Sequence, residues 1–145
     1  MTRRDFPKIH FYDQDFVDIY DKTWAWIQDF WTSGGDKSPF DVKCFAYPGT
    51  GVIKQNDAIF SSFFLVYSNR IYHAHPSLDA FYQKQEANGA IRCAYEVENG
   101  NPVVSPDNPE ALGLPLFSWA EYNLYHKTAN KKRVKEVMPV IHRYM

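Results

Sequence analysis

Apolar residues recur along the chain mainly with the period of an α-helix. In the middle of the chain, four side chains share the spacing of one helix face: Leu78, Phe81, Tyr82 and Gln85. Pro76 suits the first turn of this helix, where its missing N–H is not needed. Gly89 suits the left-handed conformation that ends a helix. The pattern therefore predicts a helix over 77–87, a positive φ at Gly89, and an extended run at 91–95.

Two predicted helices in the first half of the chain differ in their apolar faces. The first extends from about residue 15 to residue 32 with Asp13 or Asp15 as its N-cap, and a turn at 33–36 ends it. It is amphipathic, and its apolar stripe comprises Phe16, Tyr20, Trp24, Ile27 and Trp31. The second covers 57–69 with Asp57 as its cap, and it is apolar all round, so we expect it to be packed on all sides. The pattern predicts an outer helix followed by an inner one.

Two more helices are predicted in the last third of the chain. The first begins at Leu114 and ends near Thr128. Its inward residues are Phe117, Trp119, Ala120, Leu124 and Tyr125. The second begins at the N-cap Asn130, keeps the basic residues 131–133 outside, and is expected to kink or divide at Pro139. The connection between them is short, which favours an antiparallel hairpin. The expected fold class is all-α.

Composition is typical of an ordinary globular domain. The 145 residues suffice for one domain with a core, and 45% hydrophobic against 23% charged residues excludes a disordered chain. Aromatic residues reach 17%, a content that fills a core or supplies rings that stack on sugars. A net charge of −1 gives no basic surface for nucleic acid. The chain has no apolar run of membrane-spanning length and no secretory signal, so we expect a cytoplasmic protein without nucleic-acid or membrane partners.

The pattern of side chains gives little support to metal or cofactor chemistry. Cys44 and Cys93 have no paired spacing, so neither a disulfide nor a metal site is predicted. His73 and His75 lack a third ligand at a suitable spacing. The sequence therefore predicts no metal and no cofactor. The other prominent carboxylates are interpreted as caps and a solvated helix face: Asp107, Glu110 and Glu121.

Three stretches resemble the motifs of one enzyme family. Asn56-Asp57-Ala58-Ile59-Phe60 is similar to a Trp-Asp-Ser/Thr-x-Phe signature. Leu78-Asp79-Ala80-Phe81-Tyr82, followed by Gln85, Asn88-Gly89 and Ile91, resembles a Leu-Asp-Asn-Phe-Tyr…Gln…Asp-Gly-x-Ile segment. Leu114-Pro115-Leu116-x-x-Trp119-Ala120 resembles a Pro-Pro-Leu-x-x-Trp-Ala helix start. The family is glycoside hydrolase family 63 with its trehalase-like relatives, in particular the mannosylglycerate-hydrolase-like domains. Asn56, Ala58 and Leu114 depart from its pattern, which bears on the substrate more than on the fold.

This resemblance implies an (α/α)6 barrel, in which six helical hairpins form inner and outer rings. It implies an inverting glycosidase that cleaves an α-glycosidic bond of a small or oligomeric sugar with an acid and a base about 6.5–9.5 Å apart. In the family both catalytic residues lie beyond the stretch matched here. We therefore expect residues 1–145 to be the N-terminal, apparently truncated part of one catalytic domain, which binds carbohydrate and could self-associate through its uncompleted flank. The alternative is a non-catalytic carbohydrate-binding or scaffold module of the same fold.

Several residues near these motifs are candidates for contact with substrate. Asp57 is either a helix cap or a carboxylate that accepts hydrogen bonds from two sugar hydroxyls. Arg92 follows the Gly89 turn and either faces the mouth of the barrel or forms a salt bridge. Gln85 is either a satisfied core polar residue or part of the site. The remaining candidates lie close to Asp57 in the chain: Tyr47, Gln55 and Phe60.

Overall fold

The computed structural model describes residues 6–32, 38–40, 44–68, 71–105 and 107–145. Five α-helices lie in these ranges: α1 (Gln14–Ile27), α2 (Gln55–Leu65), α3 (His75–Tyr82), α4 (Phe117–Thr128) and α5 (Lys131–Tyr144). Four short strands lie there as well: β1 (Trp31–Thr32), β2 (Cys44–Phe45), β3 (Val52–Lys54) and β4 (Ala94–Glu96). Single 3₁₀ turns cover Gln28–Phe30, Val66–Ser68 and Pro109–Ala111. About half of the chain is helical, and the short strands show that the expected all-α class is only partly right.

The strands form two antiparallel pairs, β1 with β2 and β3 with β4. In the second pair Ile53 lies opposite Tyr95. Both of these side chains are buried, so the backbone around them must find hydrogen-bond partners inside the protein, and strand pairing supplies them. β4 begins within the extended run predicted at 91–95, whereas its pairing with β3, forty residues earlier, was not predicted.

Helices α2 and α4 are neighbours that run in the same direction. The Phe60 ring in the middle of α2 lies 6.3 Å from the Trp119 ring near the start of α4. The Gln55 side chain at the start of α2 donates to Tyr144, whose ring contacts Phe117 at the start of α4. At the far end, the ammonium of Lys127 in α4 lies 5.0 Å from the centre of the Tyr67 ring, just beyond α2. Helix α3 packs on α2, and α5 packs on α4. The ring contact between Phe117 and Tyr144 joins the start of α4 to the end of α5, which confirms the antiparallel hairpin.

Helix α1 confirms one cap and corrects the predicted apolar face. Asp13 is the N-cap, and its side chain accepts a hydrogen bond from the backbone of Asp15. The buried residues of the helix are Val17, Trp24 and Ile27. Phe16, which we expected inside, is exposed, because the buried face is rotated toward Val17. The helix ends at Ile27 rather than at residue 32, and the predicted turn at 33–36 lies outside the described residues.

The prediction that the second helix is packed on all sides is wrong. Phe60, Phe64 and Tyr67 are exposed, and so is Trp119 of α4, which was expected to point inward. The buried side of α2 instead carries small and aliphatic residues: Ala58, Ile59, Ser61, Ser62 and Leu65. Helix α3 and β2 pack on α2, and α4 contacts its aromatic side through Trp119, but these neighbours leave Phe60 and Phe64 partly open to solvent.

A buried ion pair joins α4 to α5, although both partners were expected in solvent. The Arg133 guanidinium contacts Glu121 through Nη2–Oε1 at 2.7 Å and Nε–Oε2 at 2.9 Å. Only 14% of the Arg133 side chain and 6% of the Glu121 side chain are exposed. Arg133 also contacts Asp79 of α3 at 2.9 Å, and Tyr82 Oη donates to Glu121 at 2.9 Å. These four side chains link α3, α4 and α5.

Burial and neighbouring charges shift the pKa values of Tyr82 and Arg133 in this network. Burial raises the pKa of the Tyr82 phenol well above its ordinary value, and the neighbouring Glu121 carboxylate raises it further. Burial by itself lowers the pKa of the Arg133 guanidinium, but its hydrogen bond to Glu121 and the charges around it outweigh burial and raise it. Arg133 is therefore a fixed cation that holds the carboxylates in place.

Gly89 has the positive φ predicted from the sequence, at 91°. Helix α3 ends earlier than expected, at Tyr82, and residues 86–90 form a separate turn in which Gly89 N–H donates to the Glu86 carbonyl at 2.9 Å. A Cβ at Gly89 would lie 2.1 Å from the carbonyl oxygen of Arg143. The turn therefore needs glycine both for its conformation and for the close approach of α5. Helix α5 itself continues through Pro139, so of the two expected effects, a kink or a division, the helix is not divided there.

Replacing Gly89 with alanine is expected to lower the free energy of unfolding by more than the roughly 1–2 kcal/mol that a left-handed conformation alone costs. Gly49→Ala is the matched control, because Gly49 has φ 76° and nothing within 4 Å of the added Cβ. Urea denaturation of the two variants measures the difference. Equal losses of stability would show that the approach of α5 to Gly89 is not tight.

Candidate functional site

Asp57 lies in the first turn of α2, not at its cap. The N-cap is Lys54, whose side chain makes no capping hydrogen bond, and α2 begins at Gln55, so the cap interpretation of Asp57 is wrong. The carboxylate is half-buried, and within the described part of the chain no hydrogen bond or ion pair to it is found. The positive end of the helix dipole stabilises a negative charge at this position. The Asp57 carboxylate thus has hydrogen-bond acceptor capacity for a ligand.

Gln55 holds the start of α2 in place. Its side chain is only 1% exposed. Its Nε2 donates to Tyr144 Oη at 3.0 Å, and Tyr144 Oη donates to the Gly113 carbonyl at 3.0 Å. Its backbone N–H donates to the Cys93 carbonyl at 2.8 Å, while its Oε1 has no partner in the described residues. These buried hydrogen bonds of Gln55 therefore fix the first turn of α2, and the same turn carries Asp57.

Arg92 lies close to this end of α2, since it precedes Cys93, and it forms a salt bridge. Its Nε lies 2.6 Å from Glu86 Oε1 and its Nη2 lies 2.8 Å from Glu86 Oε2. Its hydrogen bond to Glu86 raises the pKa of the guanidinium, and the same bond lowers the pKa of the Glu86 carboxyl. With a side chain only 12% exposed, Arg92 shapes the turn next to the site.

Gln85 makes a full set of hydrogen bonds, in agreement with the core-polar interpretation. Its Nε2 donates to the carbonyls of Gly89 at 3.0 Å and Val140 at 2.8 Å. Its Oε1 accepts from Arg143 Nη2 at 2.6 Å. Gln85 thus links the 86–90 turn to α5 through hydrogen bonds.

Tyr47 and Phe60 are both exposed, but only Phe60 lies beside Asp57. Phe60 follows Asp57 by three residues on α2, which places both on one helix face. The Tyr47 ring packs edge-on against Phe30 at 5.6 Å, beside the end of α1. The structure does not place Tyr47 with the other candidates.

Trp119 is a further candidate, which the sequence analysis placed in the core. It is the third residue of α4, as Asp57 is the third residue of α2, and the two parallel helices begin at the same end. Its side chain is 51% exposed, and its ring lies 4.6 Å from that of Phe63. The feature that could have identified Trp119 is its position in α4, which is the same as the position of Asp57 in the adjacent parallel helix α2. Asp57, Phe60 and Trp119 together present one carboxylate and two aromatic rings.

The three other carboxylates singled out in the sequence do not supply a second acid beside Asp57. Glu121 is buried in its ion pair with Arg133, so the solvated-face interpretation is wrong for it. Asp107 and Glu110 are exposed, and Asn108, rather than Asp107, caps the 3₁₀ turn. A cleft of about 670 Å³ lies elsewhere, between residues 6–11 and α1, and contains none of the predicted site residues.

Two further features of the described residues bear on binding partners. Within those ranges no group of three His, Cys, Asp or Glu side chains is arranged to hold a metal ion. The rings of His73 and His75 lie 5.7 Å apart. None of the helices in the described ranges has the length and apolar character needed to cross a membrane.

Comparison with known proteins finds a relative without an assigned activity. The chain is 48% identical over 147 aligned residues to an uncharacterized protein of Borreliella burgdorferi. The alignment covers 99% of this chain but 30% of that protein, so the chain spans less than a third of its relative's length. No family model matches the chain. No solved structure matches it either.

Proposed function

We propose that residues 1–145 form part of an (α/α)6 barrel in an inverting glycoside hydrolase and supply part of its sugar-binding wall. The enzyme acts on an α-glycosidic bond of a small or oligomeric sugar. The observation that carries this proposal is the Asp57 carboxylate, which has no protein partner among the described residues and lies one helical turn before the exposed Phe60, whose ring is 6.3 Å from that of Trp119.

The chemistry of these three side chains suits a sugar. An ionised carboxylate is purely an acceptor, and its two oxygens can receive hydrogen bonds from two neighbouring hydroxyls. Such charge-assisted hydrogen bonds are roughly twice as strong as neutral ones. The faces of Phe60 and Trp119 offer apolar surface to the C–H groups of a sugar ring. Gln55, buried beneath, keeps the carboxylate in a fixed position.

The direction of the helices favours the barrel. In a ring of helical hairpins each inner helix is followed by an outer one that returns, so successive inner helices run parallel. Helices α2 and α4 have this relation, with α3 between them in the chain and α5 returning after them. In the proposed barrel the starts of α2 and α4, and with them Asp57 and Trp119, would lie at one mouth.

The catalytic acid and base are assigned to residues outside 1–145. Inversion requires two carboxyl groups on opposite sides of the scissile bond, and Asp57 is the only carboxylate assigned to the mouth among the described residues. The Borreliella protein has room for the remaining hairpins, since 147 residues are 30% of it and its length is therefore about 490 residues.

Titration of the 145-residue chain with methyl α-mannoside and methyl α-glucoside, followed by NMR, tests the binding wall. We expect the Asp57 amide and the Trp119 indole N–H to shift, and Asp57→Asn to weaken binding by about tenfold or more, since hydrogen bonds to a charged group contribute about 1.5–3 kcal/mol. Asp15→Asn is the matched control, because Asp15 is an acidic residue in the first turn of α1. Shifts confined to the cleft beside α1, or binding unchanged by Asp57→Asn, would contradict the proposed wall.

A further inference from the structure

The start of α2 has no side-chain cap, and contacts of Gln55 take its place. Lys54 is the N-cap residue, but its side chain makes no capping hydrogen bond. The first N–H groups of a helix have no partner within the helix, so the first turn needs support from other elements. The Gln55 side-chain amide supplies it, because this amide lies between Tyr144, at the end of α5, and Gly113, in the loop before α4. The contact of Gln55 with Tyr144 and Gly113 is here called the Gln55 anchor.

Tyr144 uses both the oxygen and the proton of its hydroxyl in the Gln55 anchor. Its Oη accepts from Gln55 Nε2 at 3.0 Å and donates to the Gly113 carbonyl at 3.0 Å. Burial raises the pKa of the Tyr144 phenol, so the hydroxyl keeps its proton at neutral pH. The ring packs against Phe117, with the two ring centres 5.4 Å apart. The hydroxyl is therefore the group through which Tyr144 bonds to α2.

Gly113 forms the other side of the Gln55 anchor. A Cβ at this position would overlap the Oε1 and Cδ atoms of Gln55, so the amide packs directly against the Gly113 backbone. Oε1 is buried and has no hydrogen-bond partner among the described residues. Each buried polar group without a partner costs free energy, so the amide depends on the bond that its Nε2 makes. That bond, to Tyr144, keeps the Gln55 amide in place.

We propose that Tyr144 is a positioning residue for the Asp57 carboxylate. Its hydroxyl fixes the Gln55 amide, and Gln55 fixes the first turn of α2. That turn carries Asp57, which is the third residue of the helix. Gly113 contributes by leaving room for the amide. The expected effect on sugar affinity rests on the proposed function, whereas the order of the first turn does not.

Hydrogen exchange in the absence of sugar tests the order of the first turn. Tyr144→Phe keeps the ring and removes the hydroxyl, and Gly113→Ala displaces the Gln55 amide. Both should speed exchange at the Ile59 amide about tenfold, because in an α-helix this N–H donates to the Gln55 carbonyl and is released when the first turn opens. Tyr20→Phe is the matched control, since it removes a 2.7 Å hydrogen bond from a tyrosine hydroxyl to a backbone carbonyl beside α1. Unchanged exchange at Ile59 in Tyr144→Phe would overturn the inference.

Titration with methyl α-mannoside tests the effect on the carboxylate. We expect Tyr144→Phe to weaken binding about fivefold, a factor that corresponds to one neutral hydrogen bond, and Tyr20→Phe to leave binding unchanged. If Tyr144 acts through Asp57, Tyr144→Phe has little further effect in the Asp57→Asn background. An equal loss of affinity in both backgrounds would overturn the inference. Faster exchange at Ile59 in a chain that binds no sugar would contradict the proposed function alone, and Tyr144 would still position the turn that carries Asp57.

Discussion

Arg133→Ala is expected to lower the free energy of unfolding by about 3–5 kcal/mol, because it leaves the buried Glu121 carboxylate without its partner. Glu121 is only 6% exposed, so water cannot replace the lost guanidinium. Asp79 loses its contact with Arg133 in the same step. Chemical denaturation followed by circular dichroism measures the loss.

Lys132→Ala provides the matched control for this prediction. Lys132 precedes Arg133, its side chain is 87% exposed, and its ion pair with Glu136 spans 3.7 Å. An exposed pair of this kind contributes about 0–1 kcal/mol. The double variant Glu121→Leu/Arg133→Met should recover much of the stability, because apolar residues of similar volume often replace a buried pair without loss. A cost below about 1 kcal/mol for Arg133→Ala would show that the pair is not isolated from solvent.

Asp57→Asn is expected to reduce kcat/KM of a chimera, defined as the Borreliella protein in which residues 1–145 replace the matched stretch, by about two orders of magnitude or more. This holds if each of two hydrogen bonds to a charged group contributes about 1.5–3 kcal/mol. Asparagine keeps the size of the side chain but replaces one acceptor oxygen with a donor, which has the wrong polarity for a hydroxyl donor. The fold should survive, because Lys54 and not Asp57 occupies the N-cap. Removal of the charge from the first turn costs only about 0.3–1 kcal/mol.

Steady-state kinetics and a melting curve on the same preparation separate these effects. Asp15→Asn, in the first turn of α1, controls for the loss of a negative charge at a helix start. If neither kcat/KM nor the melting temperature changed, Asp57 would not bind substrate, and its only role would be the favourable charge in the first turn of α2.

The helices could be predicted because their signals are local. Apolar periodicity located all five helices, and the caps Asp13 and Asn130 follow from side chains that bond within three residues. The positive φ of Gly89 was also a local signal. The pairing of β3 with β4 was not predictable in this way, because two strands of three residues, about forty residues apart, carry no local signal of their pairing.

The errors concern which side of a helix is buried. Glu121 and Arg133 carry charges, so they were assigned to solvent. However, Glu121 lies four residues after Phe117 and Arg133 lies four residues before Val137, and both therefore share a face with core residues. Phe60 and Trp119 carry large apolar rings, so burial was expected. Their exposure depends on which elements surround α2 and α4, and helical spacing does not specify that.

The candidate site was predicted in part. Asp57, Gln55 and Phe60 all belong to the start of α2, but only the structure separates the half-buried carboxylate of Asp57 from the buried anchor Gln55. Gln85 and Arg92 lie in tight contacts with Arg143 and Glu86, and partners distant in sequence could not be assigned to them beforehand.

Hydrolysis by the chimera is the measurement that tests the proposed function most directly. A panel of activated α-glucosides and α-mannosides is incubated with the chimera and with the 145-residue chain, and NMR records the anomer that forms first. We predict hydrolysis with inversion by the chimera, dependent on Asp57, and none by the chain alone. Sugar binding by a folded chimera without any hydrolysis would favour the non-catalytic module. Turnover by the chain alone that survives Asp57→Ala and is lost on replacing Asp107, Glu110 or Glu121 would contradict the proposal.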